Sequence, residues 1–434
     1  MTKMSLLTFG EALQKLLAAA RPVAEIEEVE SVAAAGRTLA RAQASGITVP
    51  PLDNSAMDGY AVRVTDIPAA GMRLPVSQRI PAGSVGTPLQ PGTAARIFTG
   101  APVPEGADAV VMQELCEHAG EGVVLVNHVP RHGENIRRAG EDIQAGAGIL
   151  AAGTRLAPQD IGLAASVGLA TLPVFRRLRV AVFFTGDELS LPGEALKPGG
   201  IYNSNRYTLH GLLGALGCEV RDLGIVPDSL DATRAALRTA AADSDVIITS
   251  GGVSVGEEDH IKAAVQAEGA LDLWKIAIKP GKPLAFGKVS RGDTAQTSAI
   301  PPAPFPGKGV TGARGQSPLG DEASFIGLPG NPVSTFVTFL MLVRPFLLAC
   351  QGARVTAPRG LMMRADFDWP KPDRRREFLR VRINGEGGLD LFPNQSSGVL
   401  TSCAWADGLV DNPPAQAVAR GELVRFIPFS ELLY

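Results

Sequence analysis

The sequence reads as a multidomain α/β protein built round a doubly wound parallel sheet. Residues 179–350 alternate strand and helix patterns without a break: LRVAVFFTG, YTLHGLLGALG, VRDLGIVPD, DATRAALRTAAAD, DVIITSGG and EDHIKAAVQAEG. That rhythm is the signature of βαβ units. The stretches on either side have a different texture, short β-rich runs cut by glycine and proline. At 434 residues and 45.2 kDa the chain is too long for one ordinary core.

The elements follow in order. Phe9, Leu13, Leu16 and Leu17 recur at helical spacing, with Thr8 as N-cap and Glu11 three residues later as a capping box. APQDIGLAASVG predicts a second helix. Residues 1–50 and 143–178 are therefore expected to form one helical N-terminal and linker domain. Into it is inserted a β-rich domain, 51–142, whose runs RIFTG, DAVVMQE and GVVLVNHV are punctuated by PAG, PGT, GAPVPEG and RHGEN. The α/β domain spans 179–350, with LAFGK (284–288) and ASFIGLPG (323–330) as further strands and a helix over 332–349. Residues 290–322 hold five prolines and six glycines, which predicts a disordered excursion on a hairpin. Residues 358–434, with EFLRVRIN, LDLFPN and GELVRFIPF, predict an all-β C-terminal domain.

Composition excludes several function classes. A net charge of −3 and a pI near 6.0 argue against nucleic-acid binding. The cysteines (Cys116, Cys218, Cys350, Cys403) form no CxxC pair and the histidines no helical HxxxH pair, so neither a disulfide framework nor a zinc site is expected. The N-terminal segment has Glu11, Gln14 and Lys15 where a signal peptide needs an apolar core, and no 18-residue apolar run is evident. A soluble cytoplasmic protein with no membrane contact is expected.

Ligands of an open parallel sheet bind beyond the carboxyl ends of its strands. There the first strand ends in TGDEL (Asp187, Glu188) and the second in VPD (Asp228). The third ends in TSGGVSVGEED, bringing Gly251, Gly252, Ser254, Glu257, Glu258 and Asp259. Converging carboxylates repel unless they hold a cation or share protons, and oxygen-only ligands favour Mg²⁺. Read one at a time, each acid would serve as well to cap the following helix. KIAIKPGKP adds Lys275, Lys279 and Lys282. Lys275 and Lys279, four apart in a strand-like run, would project to one face and hold an oxyanion. GLPGNPVS supplies backbone amides at Gly327 and Gly330, a fixed chain direction at Pro329 and Pro332, and Asn331 and Ser334 where a helix begins, a natural anion seat. In the inserted domain, PPLDNSAMDGYAV crowds Asp53, Asn54, Ser55 and Asp58, FTGAP adds Thr99, and RRAGED adds Arg137, Arg138 and Asp142. Ordinary turns and loop caps are the competing explanation there.

These segments, together with RIFTGAPVPEGADAVVMQE, GENIRRAGED and GIYNSN, resemble the molybdopterin molybdenumtransferase family, which makes the molybdenum cofactor and to which the C-terminal domain of gephyrin is similar. The likeness covers nearly the whole chain in family order. It implies an elongated homodimer of four-domain subunits, whose α/β domain resembles a molybdopterin adenylyltransferase, with the site shared between subunits. Asp58, Thr99 and Asp142 would come from the partner, and Glu188, Asp228, Asp259, Lys275 and Lys279 from the α/β rim. The implied substrates are adenylylated molybdopterin and molybdate, with Mg²⁺ as cofactor: dithiolene sulfurs displace oxide from molybdate, and the pyrophosphate link is hydrolysed to AMP. In this scheme Asp228, Asp259 and Glu188 hold Mg²⁺ or orient water, while Lys275, Lys279 and Ser334 cradle molybdate or phosphate. The Gly251, Gly252 and Ser254 loop takes the pterin-side phosphate, and Lys282, Pro329, Gly330 and Asn331 bind substrate. RRREF and QSSG match more loosely and nominate Arg375 and Ser397 for molybdate contact. The upstream adenylyltransferase and apo-molybdoenzyme chaperones are candidate partners. Two departures are the 290–322 excursion and His260, where the family more often has an aromatic residue. An adenylyltransferase would be marked by ATP-dependent adenylation and a shorter TGG-x-G loop. A non-catalytic scaffold would be marked by peptide binding without turnover and would tolerate loss of Asp58, Asp228, Asp259 and both lysines, all present here.

Overall fold

The computed structural model describes residues 6–252, 260–281, 283–291 and 320–433. Ser254, Asp259 and Lys282, and the 292–319 part of the excursion, lie outside the described residues. A seven-stranded sheet organises the chain. Its strands are β1 (Leu6–Leu7), β2 (Arg179–Thr185), β3 (Glu219–Val226), β4 (Val246–Ser250), β5 (Gly269–Ile276), β6 (Pro283–Ser290) and β7 (Glu322–Leu328), in the order β1-β5-β6-β7-β4-β2-β3. Strands β3, β2, β4 and β7 are parallel, but β6 runs antiparallel to both β5 and β7. The sheet is mixed, which corrects the expectation of a wholly parallel one. The link 277–282 between β5 and β6 is too short for the crossover that parallel neighbours need.

Helices cover both faces, and β2 shows why. Its sequence RVAVFFT is apolar at every inner position, so each side can be buried. Val180, Val182 and Phe184 pack with α1 (Phe9–Ala19), α2 (Ser204–Ala215) and α5 (Pro332–Cys350). Ala181 and Phe183 face α3 (Leu230–Ala241) and α4 (His260–Glu268). Full burial of Phe183 and Phe184 contributes about 2–3 kcal/mol each. Helix α5, 19 residues long, carries an 18-residue stretch of mean hydropathy 1.9, 89% of which is buried. By length and composition alone it would pass for a membrane span, contrary to the expectation that no such run exists. Its apolar character is explained by its place in the core.

Thr8 and Glu11 form the expected capping box, Glu11 N–H donating to Thr8 Oγ1 at 3.2 Å and Thr8 N–H to the Glu11 carboxylate at 2.8 Å. However, α1 and β1 pack against the large sheet, with Ala12 and Leu16 fully buried in its core, rather than with residues 143–178. The rest of the expected helical region is held together by paired strands: Ile26–Glu30 with Thr171–Phe175, and Gln43–Ala44 with Gly148–Leu150. A single α-helix, Pro158–Ser166, joins them over a small core of Leu39, Leu156, Leu172 and Val174. TLPVF is buried at its three central positions and pairs with Ile26–Glu30, which overrides the local alanine content.

The β-rich insert forms a six-stranded sheet from strands between Gly59 and Val126, closed over Val62, Val111 and Val124. A second six-stranded sheet holds the C-terminal strands. Strand Arg376–Ile383 sends Phe378 into the large core, while Leu379 and Val381 face a local one with Val410 and Phe426. The edge of that sheet is a two-residue strand of the α/β region, Ile278–Lys279, paired with Arg376 and Glu377.

Candidate functional site

The carboxyl ends of β2, β3, β4 and β7 open into a cleft of about 990 Å³. The three glycine- and proline-rich loops converge there. Gly251 and Gly252 follow β4, the turn at Lys279–Gly281 precedes β6, and Pro329–Asn331 lead into α5. Gly251 sits at φ +101°, and a Cβ there would come within 2.9 Å of the Thr185 carbonyl oxygen. Gly252, at φ +61°, would meet the Ile261 side chain at 2.7 Å. Both positions therefore need glycine, since the backbone is left-handed and crowded.

Ser250, at the end of β4, donates to the Pro329 carbonyl at 3.0 Å, and Thr335 Oγ1 donates to the same oxygen at 2.5 Å. Asn205 Nδ2 donates to both Ser250 Oγ (2.8 Å) and the Gly330 carbonyl (2.7 Å). These buried bonds fix the two loops against each other. Ser334 lies beside them, 3% exposed, in the first turn of α5. Glu188 and Asp228 reach the rim of the same cleft and are exposed. Among the described residues neither carboxylate has a hydrogen bond or ion pair.

Lys279 and Lys275 part company. Lys275 belongs to β5, opposite Leu6 and Pro283, and does not line the cleft. Lys279 belongs to a separate short strand in the C-terminal sheet, because β5 ends at Ile276. The expected shared face is therefore lost. Lys279 Nζ lines the cleft 3.1 Å from Glu377 Oε1 and 3.6 Å from Asp373 Oδ2, with the Trp369 ring centroid 5.9 Å away. Glu377 is fully buried and also accepts from Trp369 Nε1 at 2.8 Å and Asp373 N–H at 3.1 Å. Arg375 grips Asp373 through two bonds, 3.0 and 2.8 Å, and its guanidinium holds that carboxyl far below the usual carboxylate range. Ser397 meets the start of α5, accepting from Val333 N–H at 3.0 Å and from Asn331 Nδ2 at 3.2 Å. Its loop is held from below by Arg380, 1% exposed, which donates to the Ser396 and Phe378 carbonyls. Glu377, Asp373, Trp369, Asn205, Ser250 and Arg380 were not singled out from sequence. Their runs were nonetheless visible: Asn205 lies in GIYNSN, Ser250 in TSGGVSVGEED, and Glu377 and Arg380 in EFLRVRIN.

In the inserted domain the expected residues gather, but away from this cleft. Asp58 Oδ1 accepts from both Thr99 N–H and Thr99 Oγ1, each at 2.8 Å, and these bonds hold its carboxyl below the ordinary value. Asp53 accepts from Ala139 N–H and from Arg138 at 2.6 Å. The strand pairing of Asn54 with Arg137 brings the 50–62 and 137–142 segments together, with Asp142 exposed nearby. None of Asp58, Thr99 or Asp142 lines the cleft of its own chain. The thiols offer no nucleophile at these sites: burial pushes Cys218 and Cys350 up to about 12.

Three family models match in succession: "MoeA N-terminal region (domain I and II)" over residues 7–168, "Probable molybdopterin binding domain" over 181–349 and "MoeA C-terminal region (domain IV)" over 363–429. A molybdopterin molybdenumtransferase of Haemophilus influenzae is 37% identical over 438 residues, covering 99% of this chain and 100% of that protein. The chain belongs to the molybdopterin molybdenumtransferase family. It is a transferase, and its role lies in molybdenum insertion during cofactor biosynthesis. The molybdopterin molybdenumtransferase of a Nostoc species is 36% identical over 400 residues, covering 90% of this chain and 85% of its own. A crystal structure of a molybdopterin biosynthesis moeA protein from Pyrococcus horikoshii superposes with a TM-score of 0.78 at 27% identity, covering 98% of this chain and 100% of that one.

Proposed function

We propose that the cleft binds adenylylated molybdopterin and molybdate, joins the dithiolene sulfurs to molybdenum, and releases AMP. The observation that carries this reading is the composition of one cleft: two open carboxylates, a half-exposed lysine and three amide-presenting loops at the carboxyl edge of the sheet. In the sulfur step, two thiols displace two oxide ligands from molybdate, two Mo–S bonds replace two Mo–O bonds, and the oxides leave as two waters, taking two protons from the thiols and two from solvent. In the second step, water adds to a phosphorus of the pyrophosphate link and the P–O–P bridge opens to AMP and the molybdopterin phosphate.

This chain's residues divide that work. The Lys279 ammonium and the Ser334 hydroxyl, with the amides that open α5, stabilise oxyanion charge. Arg375 and Ser397 supply further donors to molybdate from the C-terminal domain. Gly251 and Gly252 let phosphate oxygens approach the backbone closely. Glu188 and Asp228 fit Mg²⁺, since they are oxygen donors without partners among the described residues and Mg²⁺ takes one or two carboxylates together with phosphate oxygens. When bound, that ion would neutralise phosphate charge. Asp259 and Lys282 join the set on the family resemblance, as does Lys275 despite its place outside the cleft. Asp58, Thr99 and Asp142 form a preassembled patch that would complete the site of a second subunit.

The test is release of AMP from adenylylated molybdopterin with Mg²⁺, measured with and without molybdate. Molybdate-dependent release is expected. Lys279→Gln should slow it by about 10²-fold with the fold intact. Equal release without molybdate, or full activity of Lys279→Gln, overturns the reading.

A further inference from the structure

Asn203 and Asn205 open helix α2 and line the cleft, yet neither amide is fully used. Asn203 is 2% exposed and Asn205 9%. Asn203 Oδ1 accepts from Arg206 N–H at 3.1 Å as the helix cap. A backbone N–H can only donate, so this bond fixes which way the amide points. It leaves Asn203 Nδ2 buried with no partner. The polarity of Asn205 is fixed in the opposite sense. Its Nδ2 donates to the Gly330 carbonyl, which can only accept, and Asn205 Oδ1 is left buried with no partner. Buried polar atoms are nearly always paired in folded proteins. Here two orphans of opposite type stand two residues apart in the first turn of one helix, both at the wall of one cleft.

We propose that Asn203 Nδ2 and Asn205 Oδ1 read the edge of a nitrogen heterocycle, donating one hydrogen bond to it and accepting one from it. The edge must carry an acceptor beside a donor. Adenine offers a ring nitrogen beside its exocyclic amino group, and a pterin offers a carbonyl oxygen beside a ring N–H. The inference rests on the proposed function, whose substrate carries one ring of each kind. It adds the group that selects the ring. A site built to hydrogen-bond a particular edge rejects rings that present the reverse pattern, because its own buried atoms then stay unpaired.

The experiment measures, by calorimetry, the affinities of AMP, inosine monophosphate and 2-amino-4-oxopteridine for the wild-type protein, Asn203→Ser and Asn203→Asp. Asn, Ser and Asp are all good helix caps, so α2 should persist, with thermal unfolding as the check. Inosine monophosphate reverses the edge of adenine but keeps the same phosphate. The ratio of the two affinities therefore cancels any charge added by the aspartate. If adenine is read, the wild-type protein prefers AMP by about tenfold, Asn203→Ser narrows that preference and Asn203→Asp, which can only accept, abolishes it. If the pterin is read, 2-amino-4-oxopteridine weakens by about tenfold in both variants instead. An unchanged nucleotide ratio and unchanged pterin affinity in all three proteins overturn the proposal and leave Asn203 a helix cap only. Absence of molybdate-dependent AMP release by the wild-type protein would sink the proposed function, whereas the asparagine pair is decided by these affinities alone.

Discussion

At the scale of single residues, Asp222 shows how a buried charge fixes an element of the site. It is 8% exposed and accepts from Arg206 Nε at 2.6 Å, from His210 Nε2 at 2.7 Å and from Gly224 N–H at 2.7 Å. Burial alone would raise its carboxyl, but these bonds outweigh it and hold the group below its ordinary value. A depressed carboxyl adds stability that is fully present above the unfolded value, about 3.9, and is lost as pH falls through the lower folded value. Asp222→Asn should destabilise the protein by about 3 kcal/mol at pH 7 and flatten the loss of stability below about pH 4. Urea unfolding at pH 7, 4 and 3 checks both, and a variant with the wild-type acid slope refutes the assignment. Local chemistry of this kind was only partly legible. The Thr8–Glu11 box and the two glycines after β4 could be read because their partners are close in sequence or their backbone demands are local. Glu377 could not, since what makes it matter is a lysine far away in the chain and its complete burial between two sheets.

At the scale of elements, the hairpin of β6 and β7 separates the excursion from the chemistry. β7 ends at Leu328 beside the cleft and begins at Glu322 on the far edge of the sheet, where β6 ends at Ser290. Arg291 N–H donates to the Asp321 carbonyl at 2.9 Å, closing the ladder just where the excursion departs. Replacing 292–319 by a four-residue turn should leave AMP release unchanged and stabilise the protein by about 1–2 kcal/mol, as each halving of a loop returns about 0.6 kcal/mol. A loss of activity in this variant, with its melting temperature maintained, would show that the segment serves the reaction. The elements were legible wherever apolar runs were long. Direction was not: β6 looks the same in sequence whether parallel or antiparallel, and only the short 277–282 link decides it. The same link splits Lys275 from Lys279, which a single uninterrupted strand would have kept together.

At the scale of the whole molecule, the cleft and the Asp58–Thr99 patch lie in different parts of one chain, so a shared site requires two chains. Asp58→Ala and Asp228→Ala should each be inactive alone. If the chain pairs as proposed and its subunits reassort at random, an equal mixture should recover roughly a quarter of wild-type AMP release, since half of such dimers would be mixed, each with one intact site of two. No recovery, with mixed dimers confirmed by mass, would place both residues in the same subunit's site. The alternation of strands and helices was enough to foresee the α/β body and the two flanking β regions. It was not enough to foresee that the first helix joins that body, because a capping box marks where a helix starts and carries no information about what it packs against.

Helix α5 has a consequence for how the chain is made. Its apolar length is covered in part by residues translated after it: Phe336 packs edge-on against Phe429 at 5.5 Å, Arg344 donates to the Glu431 carbonyl at 2.8 Å, and Val333 N–H bonds to Ser397. On the ribosome this stretch emerges before the segment that seals it. A product cut short before residue 396 would therefore present a greasy, span-length surface to chaperones, proteases and lipid alike, and quality control rather than lost catalysis would decide its fate.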